Sequence, residues 1–160
     1  MINLASIAVD WGSSNIRIWA LDDQNEVLGR TGSDNGAGTL QPEEFEPVLL
    51  KLISSWLPEV IPSPIPVMIC GMAGSRQGWQ EAEYAKLPAN LDDLPGRAIY
   101  INTSDTRINV RILPGLCNFS QSQPDVMRGE ETQLMGLVSM MPDFDGLVCL
   151  PGTHSKWAKV

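Results

Sequence analysis

Histidine and cysteine are scarce in this sequence. Its 160 residues include one histidine, His154, and three cysteines, Cys70, Cys117 and Cys149. The odd number of cysteines and their wide spacing argue against a disulfide framework and against a Cys/His metal site. We therefore expect buried, reduced thiols.

Basic residues and long apolar runs are also in short supply. Lysine and arginine total 11 against 19 acidic residues, a formal net charge of −8. This balance argues against a nucleic-acid or anionic-membrane surface, although backbone N–H groups can still hold a phosphate locally. No apolar run approaches the length of a membrane span, and the first residues lack a basic segment of the signal-peptide type. We expect a soluble, cytoplasmic protein.

What is present is typical of a folded domain, with 43% hydrophobic and 19% charged residues. Alternating and apolar segments predict strands, the first three forming an antiparallel meander, and a stripe from Phe45 to Trp56 predicts a helix. A second helix is expected at 130–141, with Met141 on its apolar face, and the glycine-rich stretch 32–39 is expected to be a loop. The predicted strands are 4–10, 15–21, 26–31, 67–70, 98–102, 108–113, 147–150 and 157–160, and 147–150 is expected to be buried. This order predicts an α/β fold with a mixed sheet and flanking helices, which resembles the ribonuclease-H-like type.

The segment DWGSSN (10–15) joins the first two predicted strands. Gly12 allows a tight turn and the approach of an anion, and Ser13 and Ser14 offer hydroxyl and N–H donors. Asp10 cannot bind phosphate directly, but its carboxylate can hold Mg²⁺. An ordinary hairpin turn explains the same residues equally well.

The segment PGTHSK (151–156) repeats this arrangement, with an apolar strand, a glycine turn, hydroxyl residues and a second strand. Gly152 and Thr153 take the places of Gly12 and Ser13. His154 lies beside Lys156, which favours phosphate contact over a general-base role. The alternative is the final edge strand of one compact domain.

The segment GMAGSRQGW (71–79) follows a short buried strand, where α/β proteins commonly bind ligands. Arg76 could pair with a substrate carboxylate, and Trp79 could form one wall of a sugar pocket. A solvated arginine and a half-buried tryptophan are the simpler interpretation.

The segment DVMRGEET (125–132) lies at the start of the second predicted helix. Glu130 and Glu131 suit a helix N-terminus, which is a sufficient structural explanation. Alternatively, one carboxylate among Asp125, Glu130 and Glu131 accepts a proton from an attacking hydroxyl, and Arg128 anchors an acid group or keeps that carboxylate ionised.

Five segments together resemble the 2-dehydro-3-deoxygalactonokinase family of the actin/hexokinase-like superfamily. They are AVDWGSSNIRIW (8–19), GMAGSRQGW (71–79), LPGL (113–116), DVMRGEETQLMG (125–136) and LPGTHSKW (150–157). The resemblance implies ATP-dependent phosphorylation of 2-dehydro-3-deoxy-D-galactonate on its 6-hydroxyl, within galactonate breakdown. It also implies two lobes, so that 1–145 would be the N-terminal lobe and 146–160 the opening hairpin of a second lobe that this chain lacks.

The resemblance further implies a role for each group of candidate residues, with ATP and Mg²⁺ as the non-protein components. The phosphate-binding residues would be Asp10, Gly12, Ser13, Ser14, Arg17, Gly152, Thr153, His154 and Lys156, with Asp10 also at the metal. The sugar-acid residues would be Ser75, Arg76, Trp79 and Arg128. Glu130 is the first candidate for the base, followed by Asp125 and Glu131.

Two other functions are compatible with these residues. One is a phosphoanhydride hydrolase of the same fold, which would release phosphate without any sugar acid. The other is a non-catalytic lobe that binds the substrate without turnover. Oligomeric state is left open.

Overall fold

The structure is a computed structural model that describes residues 4–59, 62–120, 124–152 and 155–160. Within these ranges it contains two α-helices and eleven strands in a mixed α/β arrangement. The elements in chain order are β1 (Ser6–Trp11), β2 (Ile16–Leu21), β3 (Val27–Ser33), α1 (Phe45–Ile53), β4 (Ile65–Gly71), β5 (Ala85–Lys86), β6 (Ile99–Ile101), β7 (Ile108–Ile112), β8 (Leu116–Asn118), β9 (Asp125–Met127), α2 (Glu130–Met140), β10 (Leu147–Leu150) and β11 (Lys156–Lys159).

Six strands form the main sheet in the order β3-β2-β1-β4-β7-β6. Strand β2 pairs antiparallel with both β1 and β3, as the predicted meander requires. Strand β4 runs parallel to both β1 and β7, and β6 runs antiparallel to β7. The sheet is therefore mixed, and the carboxyl ends of β1 and β4 lie side by side, with Trp11 opposite Gly71.

The core lies on one face of this sheet because alternate residues of its strands are apolar. Ile7, Val9 and Trp11 of β1 are at most 2% exposed. Helix α1 packs on the same face through Phe45 and Leu49. A 3-10 turn at Pro42–Glu44 leads into the helix, and a capping box joins Gln41 and Glu44, which explains where the helix begins.

The sequence pattern did not predict three short strands. Strands β5, β8 and β9 form a separate sheet in the order β5-β8-β9. Each has two or three residues, which is too short for a period of two to be recognised. Strand β9 was not predicted, whereas α2 begins at Glu130, as expected.

The expectation that residues 147–150 form a buried strand is wrong. Strands β10 and β11 pair only with each other in the described part of the chain, and Leu147 and Trp157 are 68% and 69% exposed. Cys149 is exposed as well, whereas Cys70 and Cys117 are buried free thiols as expected. Met141, expected on the apolar face of the second helix, is also exposed.

The described helices include none with the length and apolar character needed to cross a membrane.

Candidate functional site

The loop between β1 and β2 is a tight turn at the end of a buried strand. The Gly12 N–H donates to the Asn15 carbonyl at 2.9 Å, and Ser13 and Ser14 are exposed beyond it. Asp10 pairs in register with Arg17 on β2, and the Asp10 carboxylate lies 3.2 Å from Nη1 of Arg17. The turn thus presents two hydroxyls to solvent beside one carboxylate and one guanidinium.

The segment that follows β3 holds this loop in place. The Ala37 N–H donates to the Gly12 carbonyl at 2.8 Å, and the Gly38 N–H donates to the Ser13 carbonyl at 2.9 Å. A Cβ on Gly36 would lie 2.2 Å from the Ser13 carbonyl oxygen, so only glycine allows this approach. Sequence reasoning identified 32–39 only as a glycine-rich loop and missed its role. Its glycine density was the available signal.

Predicted residues from separate segments meet in one cavity of ≈ 440 Å³. Ser13 comes from the first loop, and Ser75 and Arg76 come from the 71–79 loop. The other lining residues are Ala37, Gly38, Leu40, Gln41, Pro42, Met72, Gln77 and Gly78. The cavity therefore places hydroxyl groups and one exposed cation around a space that suits a small anionic ligand.

Trp79 lies apart from that cavity and is half-buried in the core. Its ring centroid is 5.8 Å from that of Phe45 in a stacked arrangement and 6.1 Å from that of Trp11 in an edge-on one. Such aromatic contacts stabilise the core. This packing accounts for the position of Trp79, and its contact with a sugar stays a prediction.

Asp10 faces a second cavity of ≈ 380 Å³, on the sheet face opposite α1. The polar residues of this cavity include Asp10, Thr132 and Gln133. These carboxylate, hydroxyl and amide oxygens belong to the donor class that Mg²⁺ prefers, and Mg²⁺ characteristically needs only one or two protein carboxylates besides water and phosphate. A single carboxylate beside these oxygen donors is compatible with a magnesium ion shared with phosphates. No cluster of three or more His, Cys, Asp or Glu side chains occurs in the described ranges.

The start of α2 lies against the end of β4 through two glycines. Gly71 and Gly129 both have positive φ values, 90° and 110°. A Cβ on Gly129 would lie 3.4 Å from the Cα of Gly71. This contact brings the first turn of α2 to the sheet edge that carries Asp10.

The two glutamates of that turn differ in exposure. Glu130 is half-buried and accepts a hydrogen bond from the Arg128 N–H at 2.9 Å. Glu131 is fully buried, and its carboxylate accepts from the Gly129 N–H at 2.7 Å. Burial raises the pKa of Glu131 to about 7, an effect that Glu130 reinforces and that hydrogen bonds and the Arg128 charge oppose.

Burial also raises the pKa of the Cys70 thiol, near the end of β4. Desolvation, reinforced by the charge of Asp10, raises the pKa of Cys70 to about 12. The thiol is therefore protonated at neutral pH and is not a nucleophile.

The remaining predicted residues lie elsewhere. Asp125 is on β9, where its carboxylate pairs with Nζ of Lys156 at 2.5 Å. Gly152 is exposed in the loop of the C-terminal hairpin. None of the three candidate bases lines either cavity described above, so the catalytic roles of Asp125, Glu130 and Glu131 stay predictions. Thr153 and His154 lie outside the described residues.

This chain is similar to several known proteins. A family model described as 2-keto-3-deoxy-galactonokinase matches residues 10–160. The chain is 44% identical over 156 residues to DgoK1 of Rhizobium meliloti (strain 1021), named a probable 2-dehydro-3-deoxygalactonokinase. It is 35% identical over 153 residues to the 2-dehydro-3-deoxygalactonokinase of Escherichia coli (strain K12). Each match covers 96% of this chain and 48% of the relative, so the chain spans about half the length of the curated relatives it matches.

A solved structure supports the fold. It is described as the crystal structure of "a putative 2-dehydro-3-deoxygalactonokinase protein from Sinorhizobium meliloti". The TM-score is 0.86 at 42% sequence identity, over 97% of this chain and 49% of that one. The expected α/β class with a mixed sheet is therefore confirmed.

Proposed function

Because this chain belongs to the 2-keto-3-deoxy-galactonokinase family, we propose that it forms the phosphate- and sugar-acid-binding part of an ATP-dependent kinase. The acceptor is 2-dehydro-3-deoxy-D-galactonate, phosphorylated at its 6-hydroxyl in galactonate breakdown. The observation that carries this proposal is the ≈ 440 Å³ cavity shared by Ser13, Ser75 and Arg76. Since ATP is the phosphate donor, we place the reaction in the cytoplasm.

The phosphate groups bind at the β1–β2 loop in this proposal. Ser13 and Ser14 donate hydrogen bonds to them from an exposed turn that the 36–38 segment holds rigid. Arg17, which is 67% exposed beside Asp10, supplies positive charge. A Mg²⁺ ion held by Asp10 would neutralise phosphate charge. These groups are positioned before the substrate arrives, which is how most of the rate enhancement in phosphoryl transfer arises.

The sugar acid binds on the opposite side of the same cavity. Arg76 is exposed there and pairs with the substrate carboxylate, while Ser75 contacts a hydroxyl. This arrangement directs the other end of the sugar acid toward the β1–β2 loop.

Proton transfer falls to a carboxylate of the first turn of α2. The 6-hydroxyl oxygen attacks the terminal phosphorus of ATP, and the bond between that phosphorus and the departing ADP breaks. The hydroxyl proton moves to the carboxylate. We assign this role to Glu130, because its side chain is half-buried whereas that of Glu131 is fully buried. Lobe closure would exclude water and suppress hydrolysis.

Titration calorimetry on residues 1–160 tests the proposal. We expect binding of 2-dehydro-3-deoxygalactonate, weakened at least about tenfold by Arg76→Met because a charge-assisted contact is lost. Arg111→Met is the matched control, since Arg111 lies on β7 outside the cavity. Loss of ATP affinity alone in Arg76→Met would contradict the carboxylate role.

Turnover separates the proposed kinase from its alternatives. Binding without turnover by residues 1–160 would show that the chain is a binding lobe that needs the rest of a family-length protein. Phosphate release from ATP or polyphosphate with no sugar acid present would instead identify a phosphoanhydride hydrolase. In a two-lobed protein that contains this chain, Asp10→Ala should abolish turnover and leave the fold intact, and near-normal activity would contradict its role at the metal.

A further inference from the structure

Arg128 is a buried cation that contacts two residues of a segment distant in sequence. The residue is 9% exposed, and its Nη2 donates to the Ala82 carbonyl at 2.8 Å. The guanidinium carbon lies 4.2 Å from the ring centroid of Tyr84, which is a cation–π contact. Arg128 thus joins the β9–α2 junction to the segment that follows the 71–79 loop.

Two glycines make room for this Arg–Tyr pair. A Cβ on Gly74 would lie 2.8 Å from Nη1 of Arg128. A Cβ on Gly115, in the LPGL segment, would lie 2.7 Å from the Tyr84 ring and 2.4 Å from the Met127 carbonyl oxygen. The approach at Gly115 requires glycine because it meets a backbone carbonyl. LPGL, which the proposed function leaves unexplained, therefore completes the packing around Tyr84.

The 71–79 loop is connected directly to this pair. The Ala82 N–H donates to the Gly74 carbonyl at 3.0 Å, while the Ala82 carbonyl accepts from Arg128. Ser75 and Arg76 follow Gly74 immediately in the chain. Any shift of Arg128 or Tyr84 would therefore be transmitted to the two residues that line the ≈ 440 Å³ cavity.

We propose that Arg128 is a positioning residue that fixes the 71–79 loop and does not contact the substrate, and that Arg76 alone carries the carboxylate contact. This inference rests on the proposed function for the identity of the ligand. Arg128 is absent from the lining of the cavity that contains Arg76. Its Nε and Nη1 have no hydrogen-bond partner among the described residues, so a substrate carboxylate on those atoms is the competing explanation that the experiment must address.

Amide hydrogen exchange tests the positioning role without any ligand. In Arg128→Met, we expect the Trp79 and Ala82 amides, which donate to Ala73 and Gly74, to exchange about tenfold faster or more, because the loop loses its anchor. Tyr84→Leu should have a similar effect from the other side of the pair. Arg128→Lys keeps the charge but loses the planar stack. Its amide exchange should be faster than in the unmodified chain and slower than in Arg128→Met.

A matched control exists in the same chain. Arg111 also lies over a tyrosine ring, that of Tyr100 at 4.3 Å, but this ring is 62% exposed and the pair joins β7 to β6. Arg111→Met removes the same type of contact and should leave exchange at Trp79 and Ala82 unchanged. Unchanged exchange at both amides in folded Arg128→Met and Tyr84→Leu would overturn the positioning role.

A pair of ligands then distinguishes positioning from direct contact. Affinities of residues 1–160 are measured for 2-dehydro-3-deoxygalactonate and for its neutral primary amide. We expect the acid to bind about tenfold more tightly than the amide, and we expect Arg76→Met to remove this preference. Arg128→Met should weaken both ligands by a similar factor and keep the preference.

The outcomes separate this inference from the proposed function. Loss of the acid preference in Arg128→Met would show direct carboxylate contact and overturn the inference. If the unmodified chain binds neither ligand, the proposed function fails for this chain, while hydrogen exchange still decides whether Arg128 positions the loop.

Discussion

The β1–β2 and β10–β11 hairpins have the same local design and different surroundings. Both are antiparallel, and each joins its strands through a short loop that contains glycine. In the first hairpin, Trp11 is fully buried, and β3 and β4 pair with its outer edges. In the second, Trp157 is 69% exposed and no further strand of the described chain pairs with either edge.

This difference shows that hairpin geometry and hairpin burial have separate origins. Alternation of apolar residues and a glycine turn are sufficient for two strands to pair. A two-stranded sheet alone buries little apolar area and is marginally stable, whereas neighbouring strands and a helix provide a core. The first hairpin has both β4 and α1 to pack against, and its loop is held by the 36–38 segment.

The largest expected effect is a direct test of this contrast. Trp11→Ala should lower the free energy of unfolding by about 3–5 kcal/mol, because a large side chain in contact with Phe45 and Trp79 is removed from the core. Trp157→Ala should change it by less than about 0.5 kcal/mol. Chemical denaturation of both variants measures the difference, and equal losses would show that the second hairpin is buried in solution.

The buried carboxyl group of Glu131, near the first hairpin, should make the stability of the chain depend on pH. Glu131, with its pKa raised from 4.5 to about 7, favours the protonated form in the folded state. It therefore contributes stability below pH 4.5 that is lost as the pH rises to about 7. Glu131→Gln should be more stable than the unmodified chain at pH 8, by up to about 3 kcal/mol, and similar to it at pH 4. Denaturation from pH 4 to 8 checks this, and a difference independent of pH would contradict it.

The contact between the 36–38 segment and the β1–β2 loop gives a prediction with a smaller expected effect. Gly36→Ala should destabilise the fold by roughly 1–3 kcal/mol, because the new methyl group would overlap the Ser13 carbonyl. Gly136→Ala is the matched control, since a Cβ on Gly136 meets nothing within 4 Å and an alanine in α2 should add roughly 0.5–1 kcal/mol. Thermal melts compare them. A stabilising Gly36→Ala would show that the loop is not held as described.

The smallest effect is expected at the ion pair beside the second hairpin. Lys156→Met should change the unfolding free energy by less than about 1 kcal/mol, because Asp125 is 59% exposed and solvent screens the pair. Any loss should shrink further in 0.5 M salt, where the Debye length is only about 4 Å. A loss of unfolding free energy that is several times larger and insensitive to salt would show that this ion pair is buried, and would contradict the exposure of Asp125.

Much of the first hairpin and its helix could be predicted from the sequence. Ile7 and Val9 alternate as a strand requires, and Phe45 and Leu49 recur at helical spacing, so local periodicity was enough. The short strands β5, β8 and β9 could not be predicted, because their pairing depends on contacts between residues that are distant in the chain.

Some features of the candidate site could also be predicted from the sequence, and others could not. The residue types of the first loop indicated phosphate binding, and Arg76 indicated an acid group. The close approach of Gly36 to the backbone of that loop could not be predicted, because a glycine in a loop does not reveal which backbone it approaches. Likewise, the sequence assigned Arg128 and Arg76 to the same role, and only the structure placed one beneath the loop and the other on its surface.

The sequence by itself therefore determined the strand and helix periods of the main elements, the turn chemistry of both hairpins and the family to which the five motifs belong. Tertiary structure decided which tryptophan is buried, which arginine is exposed at the cavity and which carboxyl group has a raised pKa. The physical reason is that periodicity and turn chemistry are local properties, whereas burial, desolvation and close backbone approach depend on what the rest of the chain places nearby.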